Sequence, residues 1–124
     1  MLNIVELRMG NFIQRDSITL TFHSIDPGTD DYIWLQNSNN YQTISWCYLN
    51  ILKPIRLKDD WLIKLGFSFK KHKSGTQGIY SNGKMNLTLS NSGNVYYMKQ
   101  LIPYVHRLQN LYFELKNEEL KIVV

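Results

Sequence analysis

The sequence has little cysteine and no long apolar run. Cys47 is the single cysteine among 124 residues, which excludes an internal disulfide framework. No segment approaches the roughly 20 consecutive apolar residues that a membrane-spanning helix needs. The N-terminal segment contains Glu6 and lacks an apolar core followed by a cleavage site of small residues, so it does not have the pattern of a signal peptide. We therefore expect a soluble, cytoplasmic protein that does not enter a membrane.

The short motifs of nucleotide-binding and hydrolytic sites are also missing. The sequence contains no G-x-S-x-G, no G-x-x-x-x-G-K-[ST] and no G-x-G-x-x-G. His23, His72 and His106 are widely separated, with no cysteine pair and no H-E-x-x-H, which argues against a zinc site. Cys47 lies between two aromatic residues without an adjacent His or Lys that would activate it, so we interpret it as a structural thiol. We expect no metal ion, no cofactor and no catalytic residues.

Two groups of acidic residues have structural explanations. Asp26, Asp30 and Asp31 form an acidic loop, but their spacing lacks the glycine and the terminal glutamate of a calcium loop, so a solvated turn is expected. Asp59 and Asp60 are neighbours, and neighbours on a helix point in different directions, which argues against a catalytic pair. Carboxylates in the first turn of a helix interact favourably with its dipole, so these two predict a helix start.

The remaining composition is typical of a globular chain with an uneven charge distribution. Hydrophobic residues make up 44% and charged residues 19% of the sequence, which suits one domain or two small packed halves. Residues 1–52 carry two basic and five acidic side chains, whereas residues 53–124 carry twelve basic and five acidic ones. The basic half would attract either an anionic partner or the acidic half of the same chain.

The first half has the pattern of a small β structure. Apolar and polar residues alternate from Ser17 to His23 and again from Thr43 to Leu49, as they do in half-buried strands. Gly10 interrupts an earlier strand, where it would supply a turn or a bulge. Short strands at this spacing predict a small curled sheet or barrel, in an all-β unit over residues 1–53.

The second half, residues 54–124, combines helices with an antiparallel meander. The helix that starts at Asp59 is expected to end at Gly66, which would take the left-handed conformation. Strands between Phe67 and Lys99 follow, with Asn82-Gly83 as a hairpin turn.

The longest periodic segment runs from Leu101 to Leu115. Apolar residues recur there at helical spacing on one broad face, and Asn117 is suited to end the helix. Leu120 to Val124 alternates and predicts a final short strand. The predicted fold is therefore α+β, and this long helix is expected to join the two halves into one compact body.

Three segments together resemble a known family. They are LRMGN at residues 7–11, PIRLKDDWLIKLGF at residues 54–67 and YVHRLQNLYFEL at residues 104–115. The set is similar to a family of short hypothetical proteins encoded in prophages and mobile elements of Bacteroidetes bacteria, and this resemblance implies a bacterial or phage source without a defined activity. Members of that family usually carry Thr where this chain has Lys58 and Gly where it has Asn117. The Arg-x-Gly-Asn start and the strand spacing also resemble an SH3-like barrel.

The basic loop that contains Lys70, Lys71 and Lys73 is the first candidate functional site. Three lysines on a loop neutralise phosphates without reading bases, so they would contact nucleic acid weakly and without sequence specificity. Other residues of the second half would add charge or stacking surfaces to this patch: Arg56, Lys58, Lys64, Lys84, Lys99, Tyr80, Tyr96 and Tyr97. The alternative is an ordinary solvated loop, since the net charge of this half is modest.

The second candidate is the side of the long helix away from its main apolar face. Ile102, His106, Gln109 and Phe113 form a minor stripe there, beside Asn110, that would dock a protein partner. The alternative is that the N-terminal half covers this stripe, which would bury the helix on two sides.

From these observations the sequence predicts a non-catalytic binding or protein-interaction module. Its partner would be a protein or a nucleic acid, and a homodimer formed through edge strands or through the helix stripe is another interpretation. An enzyme with a site between the two halves stays open as well, with His23, His106 or the acidic loop as its candidate residues.

Overall fold

The chain divides into two compact units, Met1–Ile55 (unit 1) and Arg56–Val124 (unit 2). A computed structural model describes residue 2 and residues 6–16, 18–25, 32–37, 40–71 and 78–123. Within these ranges the fold is α+β, with two antiparallel sheets of five strands each and two α-helices. The predicted fold class is therefore confirmed at this level.

Unit 1 contains the first sheet, in the order β4-β3-β2-β1-β5. Its strands are β1 (Phe12–Arg15), β2 (Ile18–Ile25), β3 (Tyr32–Asn37), β4 (Asn40–Tyr48) and β5 (Lys53–Pro54). A 3₁₀ turn at Leu49–Ile51 connects β4 to β5. In the described part of unit 1 this sheet is open, because β4 and β5 form its two edges and do not pair with each other. The closed barrel that the strand spacing suggested is thus not observed.

The core of unit 1 follows from the alternation along its strands. Leu20 and Phe22 of β2 are buried together with Ile13 and Leu35 of the neighbouring strands. Pairing in an antiparallel sheet places opposite residues on one face, so Ile13, Leu20 and their neighbours bury a shared apolar surface. Ile18, which the alternation placed on this face, is exposed near the start of β2.

Unit 2 contains the second sheet, in the order β10-β9-β8-β7-β6, and both helices. Its strands are β6 (Ser68–Lys71), β7 (Gly78–Ser81), β8 (Asn86–Leu89), β9 (Val95–Tyr97) and β10 (Gln100–Leu101), and its helices are α1 (Asp59–Lys64) and α2 (Val105–Lys116). All neighbouring strands are antiparallel, as the meander pattern predicted. Asn82-Gly83 belongs to a four-residue connection in which the Asn82 side-chain oxygen accepts hydrogen bonds from the backbone N–H groups of Lys84 and Met85, both at 2.9 Å.

Helix α1 begins and ends as its sequence predicts. Asp59 and Asp60 occupy the first turn, and the N-cap residue Lys58 supplies no side-chain cap. Gly66 has a positive φ of 92°. Its N–H donates to the Ile63 carbonyl at 3.0 Å, and the Phe67 N–H donates to the Leu62 carbonyl at 2.9 Å, so the last turn closes as a Schellman motif.

Helix α2 is shorter at its start than the apolar periodicity predicts. It begins at Val105, whereas Leu101 belongs to β10 and pairs with Tyr96. The Ile102 N–H donates to the Val95 carbonyl at 2.8 Å, which continues the sheet past the end of β10. Leu101 and Ile102 therefore pair with β9 and do not form part of the helix. At the other end Asn117 takes the left-handed conformation, with φ 54° and ψ 34°, as predicted.

The segment after α2 packs without forming the predicted final strand. Residues 118–123 have no strand assignment, although Leu120 is buried. The Val123 N–H donates to the Lys64 carbonyl of α1 at 2.8 Å, so the segment contacts a helix end and not a sheet edge. A single hydrogen bond to a helix carbonyl cannot propagate a β ladder.

Candidate functional site

The strand register of unit 2 aligns five side chains across the outer face of its sheet. Lys70 pairs with Ile79, Ile79 with Thr88, Thr88 with Tyr96, and Tyr96 with Leu101. Because paired residues in antiparallel strands share a face, these five form one transverse row, which we call the outer row. At a strand spacing of about 4.8 Å the row is roughly 19 Å long.

The outer row is exposed to solvent, while the residues between its members are buried. Ile79 and Leu101 are 40% and 44% exposed. Tyr80 follows Ile79 in β7, and Leu87 precedes Thr88 in β8. These two residues pair with each other on the opposite face, where they are 3% and 0% exposed. The Tyr80 hydroxyl donates a hydrogen bond to the Asp59 carboxylate at the start of α1, so α1 lies on that inner side.

The inner face is also closed at the β6 edge. The rings of Phe69 and Tyr80 lie 4.9 Å apart at a tilt of 50°. Gly78 lies directly beneath the Phe69 ring, which a β-carbon at position 78 would strike. A glycine here therefore allows the Phe69 ring to lie over position 78 at the edge of the inner face.

The environment of Tyr80 predicts a pH-dependent stability. Burial and the hydrogen bond to Asp59 raise the pKa of Tyr80 above its usual value. The unfolded chain loses this proton near pH ~10, whereas the folded chain keeps it, so the stabilisation is complete below that pH and is lost as the pH rises toward the folded-state pKa. Above pH ~10 we expect the free energy of unfolding to fall more steeply for the wild type than for Tyr80→Phe, by up to about 1.4 kcal/mol per pH unit. Urea unfolding over this range measures it, and parallel curves would contradict it.

The charge pattern around the outer row is one-sided. No Asp or Glu occurs between Asp60 and Glu114, and this interval contains every strand of the second sheet. It carries seven basic residues: Lys64, Lys70, Lys71, Lys73, Lys84, Lys99 and Arg107. A sheet that carries basic side chains and no carboxylates attracts an anionic partner, because no negative charge in its strands opposes the phosphates. This interval is visible in the sequence, and the sheet register divides its strand residues between the outer and the inner face of the sheet.

Two of these cations have partners outside the outer row. Lys84 forms an ion pair with Glu118 at 2.6 Å, and this hydrogen bond raises the pKa of Lys84. Lys64 lies over the Trp61 ring at 4.9 Å from its centroid. Lys64 and Lys84, which were predicted to extend the basic patch, therefore have local structural partners. Lys70, a member of the predicted patch itself, belongs to the outer row.

The two described lysines of the predicted basic loop lie on opposite faces of the sheet. Lys70 is in the outer row, and the exposed Lys71 pairs with Gly78, which places it on the opposite face. Lys73 and His72 lie outside the described residues. Lys70 and Lys71 therefore do not share one face of the sheet, because neighbouring residues of a strand alternate in direction.

The three tyrosines predicted as stacking surfaces have different positions. Tyr96 is half-buried in the outer row. Tyr97 follows it in β9 and therefore lies on the inner face. Tyr80 is buried beneath the sheet, which corrects the expectation that it would be available to a base.

The β9–β10 turn at one end of the sheet has an uncommon conformation. Its two central residues, Met98 and Lys99, have positive φ angles of 47° and 70°. A turn with two left-handed residues is the type I′ geometry that tight hairpins favour, but Asn-Gly is its usual sequence. A non-glycine residue in this conformation costs on the order of 1 kcal/mol. Met98 is also 81% exposed, the highest value among the exposed large hydrophobic residues described.

The helix stripe predicted as a partner surface is largely inaccessible. His106 and Gln109 are each 1% exposed, Asn110 is half-buried, and Phe113 is 37% exposed. The His106 ring stacks on Tyr104 with centroids 5.8 Å apart and planes at 9°. His106 and Gln109 belong to the buried face of α2. The expectation of an accessible stripe that contains these two residues is therefore wrong.

The residues considered for an enzymatic site belong to both units, and the two histidines are each described within their own unit. His23 shares a hydrogen bond with the neighbouring Ser24 hydroxyl at 3.0 Å, and His106 is buried in unit 2. The acidic loop of Asp26, Asp30 and Asp31 lies outside the described residues, and so does the side chain of Cys47. Among the residues that are described, no three His, Cys, Asp or Glu side chains form a group that could hold a metal ion.

None of the helices in the described residues is both long and apolar enough to cross a membrane. Family models, curated proteins and solved structures were compared with the chain, and none of them matches it.

Proposed function

We propose that this protein is a non-catalytic binding module and that unit 2 binds nucleic acid through the outer row. The observation that carries the proposal is the position of Lys70 and Tyr96 in one exposed row of a sheet without acidic residues. Lysine neutralises phosphates, and an aromatic ring beside it offers a surface to a base. The polar side chain of Thr88 lies between them and adds a hydrogen-bonding group.

Charge favours a nucleic acid over a protein as the partner. A protein-docking face of this size would present an apolar centre with a mixed polar rim. Here Ile79 and Leu101 are separated by Thr88 and Tyr96, so the row has no apolar centre. The basic residues near it have no acidic neighbours in the sheet, which suits a polyanion.

Replacing Lys70 tests the proposal, with Lys71 as its matched control. Lys70→Ala is expected to weaken binding of a labelled oligonucleotide about fivefold at ~50 mM salt and to reduce the slope of log affinity against log salt by about 0.7 to 0.9. Lys71→Ala removes the same charge one residue away on the other face, so we expect a smaller loss. Fluorescence anisotropy over a salt series measures both.

The result that would overturn the proposal is an absence of binding at low salt by the wild-type protein. Equal losses in the two variants would show that charge alone acts, without the outer row as a defined surface. Circular dichroism of each variant shows whether the fold is retained.

We also propose the bacterial mobile-element source and the SH3-like architecture of unit 1 that the sequence resemblances imply. The source is supported by the three matched segments, and the genes next to this one test it. The architecture is supported by the meander β1 to β4, with β5 returning beside β1 after the 3₁₀ turn at Leu49–Ile51. An experimental structure in which β4 and β5 remain far apart would contradict it.

A further inference from the structure

We infer that the outer row binds single-stranded nucleic acid, with an unpaired base stacked on Tyr96 and the Met98-Lys99 turn at the end of the site. This inference rests on the proposed function and specifies its substrate class. It depends on three features of the face: its exposure, its apolar members and the lysine in the β9–β10 turn.

An exposed sheet face suits splayed bases better than a duplex. The outer row crosses all five strands of the second sheet, and four of its five members are exposed, so no described helix packs over it. Reading a duplex requires an element that enters a groove, whereas open sheets carry aromatic residues on which unpaired bases stack. Tyr96 is the aromatic residue of the row, and its half-buried ring is partly held in place and partly accessible.

The exposed aliphatic residues of the row point in the same direction. Ile79 and Leu101 are 40% and 44% exposed, so the row presents apolar surface as well as Lys70 and Tyr96. A duplex presents phosphates and sugars to a flat surface, while a single strand also presents the apolar faces of its bases. Leu101 pairs directly with Tyr96, so a base on this ring would also cover the leucine.

The turn after β9 places a second cation near this end of the row. Met98 and Lys99 hold positive φ angles of 47° and 70°, the type I′ geometry of a two-residue hairpin. The turn links Tyr97 of β9 to Gln100 of β10, so Lys99 lies two residues from Leu101. A cation at this end and Lys70 at the other would contact the backbone of a strand that crosses the row.

The test compares single strands with the matching duplex on the full chain. Labelled DNA and RNA of about 12 nucleotides are titrated by fluorescence anisotropy at ~50 mM salt. We expect single strands to bind at least tenfold more tightly than the duplex. Tyr96→Leu should lower single-strand affinity about tenfold, and Tyr96→Phe, which keeps the ring, should restore it.

Tyr97→Leu is the matched control, because it removes the neighbouring ring from the inner face. Its single-strand affinity should stay within about twofold of the wild type. If it fails to fold, the comparison of Tyr96→Leu with Tyr96→Phe still decides.

Three results would overturn the inference. Equal binding of duplex and single strand, with no effect of Tyr96→Leu, would contradict it while leaving nucleic-acid binding in place. No binding of any oligonucleotide would remove both proposals. Sedimentation of a wild-type dimer that Tyr96→Leu dissociates would instead show that this face joins two copies of the chain.

Discussion

Leu87→Ala is expected to lower the free energy of unfolding by about 3 kcal/mol, because its side chain is fully enclosed on the inner face of the second sheet. Leu87 pairs with Tyr80, whose hydroxyl reaches Asp59, so the truncation leaves a cavity beside a hydrogen-bonded aromatic ring. Apolar area lost from burial and the cavity left behind both contribute to this cost. Urea unfolding followed by the fluorescence of Trp61, the tryptophan of unit 2, measures it.

Thr88→Ala is the matched control for this prediction. Thr88 follows Leu87 in β8 but belongs to the exposed outer row, so its truncation should change the free energy of unfolding by no more than about 0.5 kcal/mol. If both variants lost the same stability, the outer row would be packed against something. The proposed binding surface would then not exist as a free face.

Leu108→Ala should have an effect of similar size, about 3 kcal/mol, since Leu108 is fully buried in the middle of α2. Alanine has a higher helix propensity than leucine, so the helix itself would form at least as readily. The loss would therefore come from packing and not from the backbone. Urea unfolding with far-UV circular dichroism and Trp61 fluorescence records it.

Leu115→Ala makes the same chemical change one residue before the end of α2, where the side chain is 49% exposed. We expect less than about 1 kcal/mol there, because much of this side chain remains in water in the folded state. A cost at Leu115 equal to that at Leu108 would mean that the apolar periodicity of the segment, which includes both, describes its packing better than the structure does.

Local conformations were the most predictable part of the fold. Gly66 and Asn117 take left-handed conformations that end α1 and α2, as their residue types predicted. Such positions depend on a few neighbouring backbone atoms, so a short sequence window contains the information. The strands of the meander were predictable for the same reason, because turn residues and alternation are local signals.

Features that depend on distant pairing were missed. The apolar pattern of α2 continues back to Leu101, but Leu101 pairs with Tyr96 and is lost to the helix. The Met98-Lys99 turn has no local turn signature, since neither residue favours a positive φ. For the side of α2 that carries His106 and Gln109, the sequence left exposure and burial as alternatives, and only the fold shows that both residues are buried. In each case contacts far along the chain outweighed a local preference.

The candidate surface shows the same division. The sequence by itself determined an α+β chain, the helix ends at Gly66 and Asn117, and the excess of basic residues in the second half. These features depend only on composition and on the spacing of nearby residues. Only the tertiary structure decided that Lys70 and Tyr96 share a face while Lys71 and Tyr97 lie on the other. The physical reason is that a strand alternates its side chains, so the register between distant strands selects which residues meet.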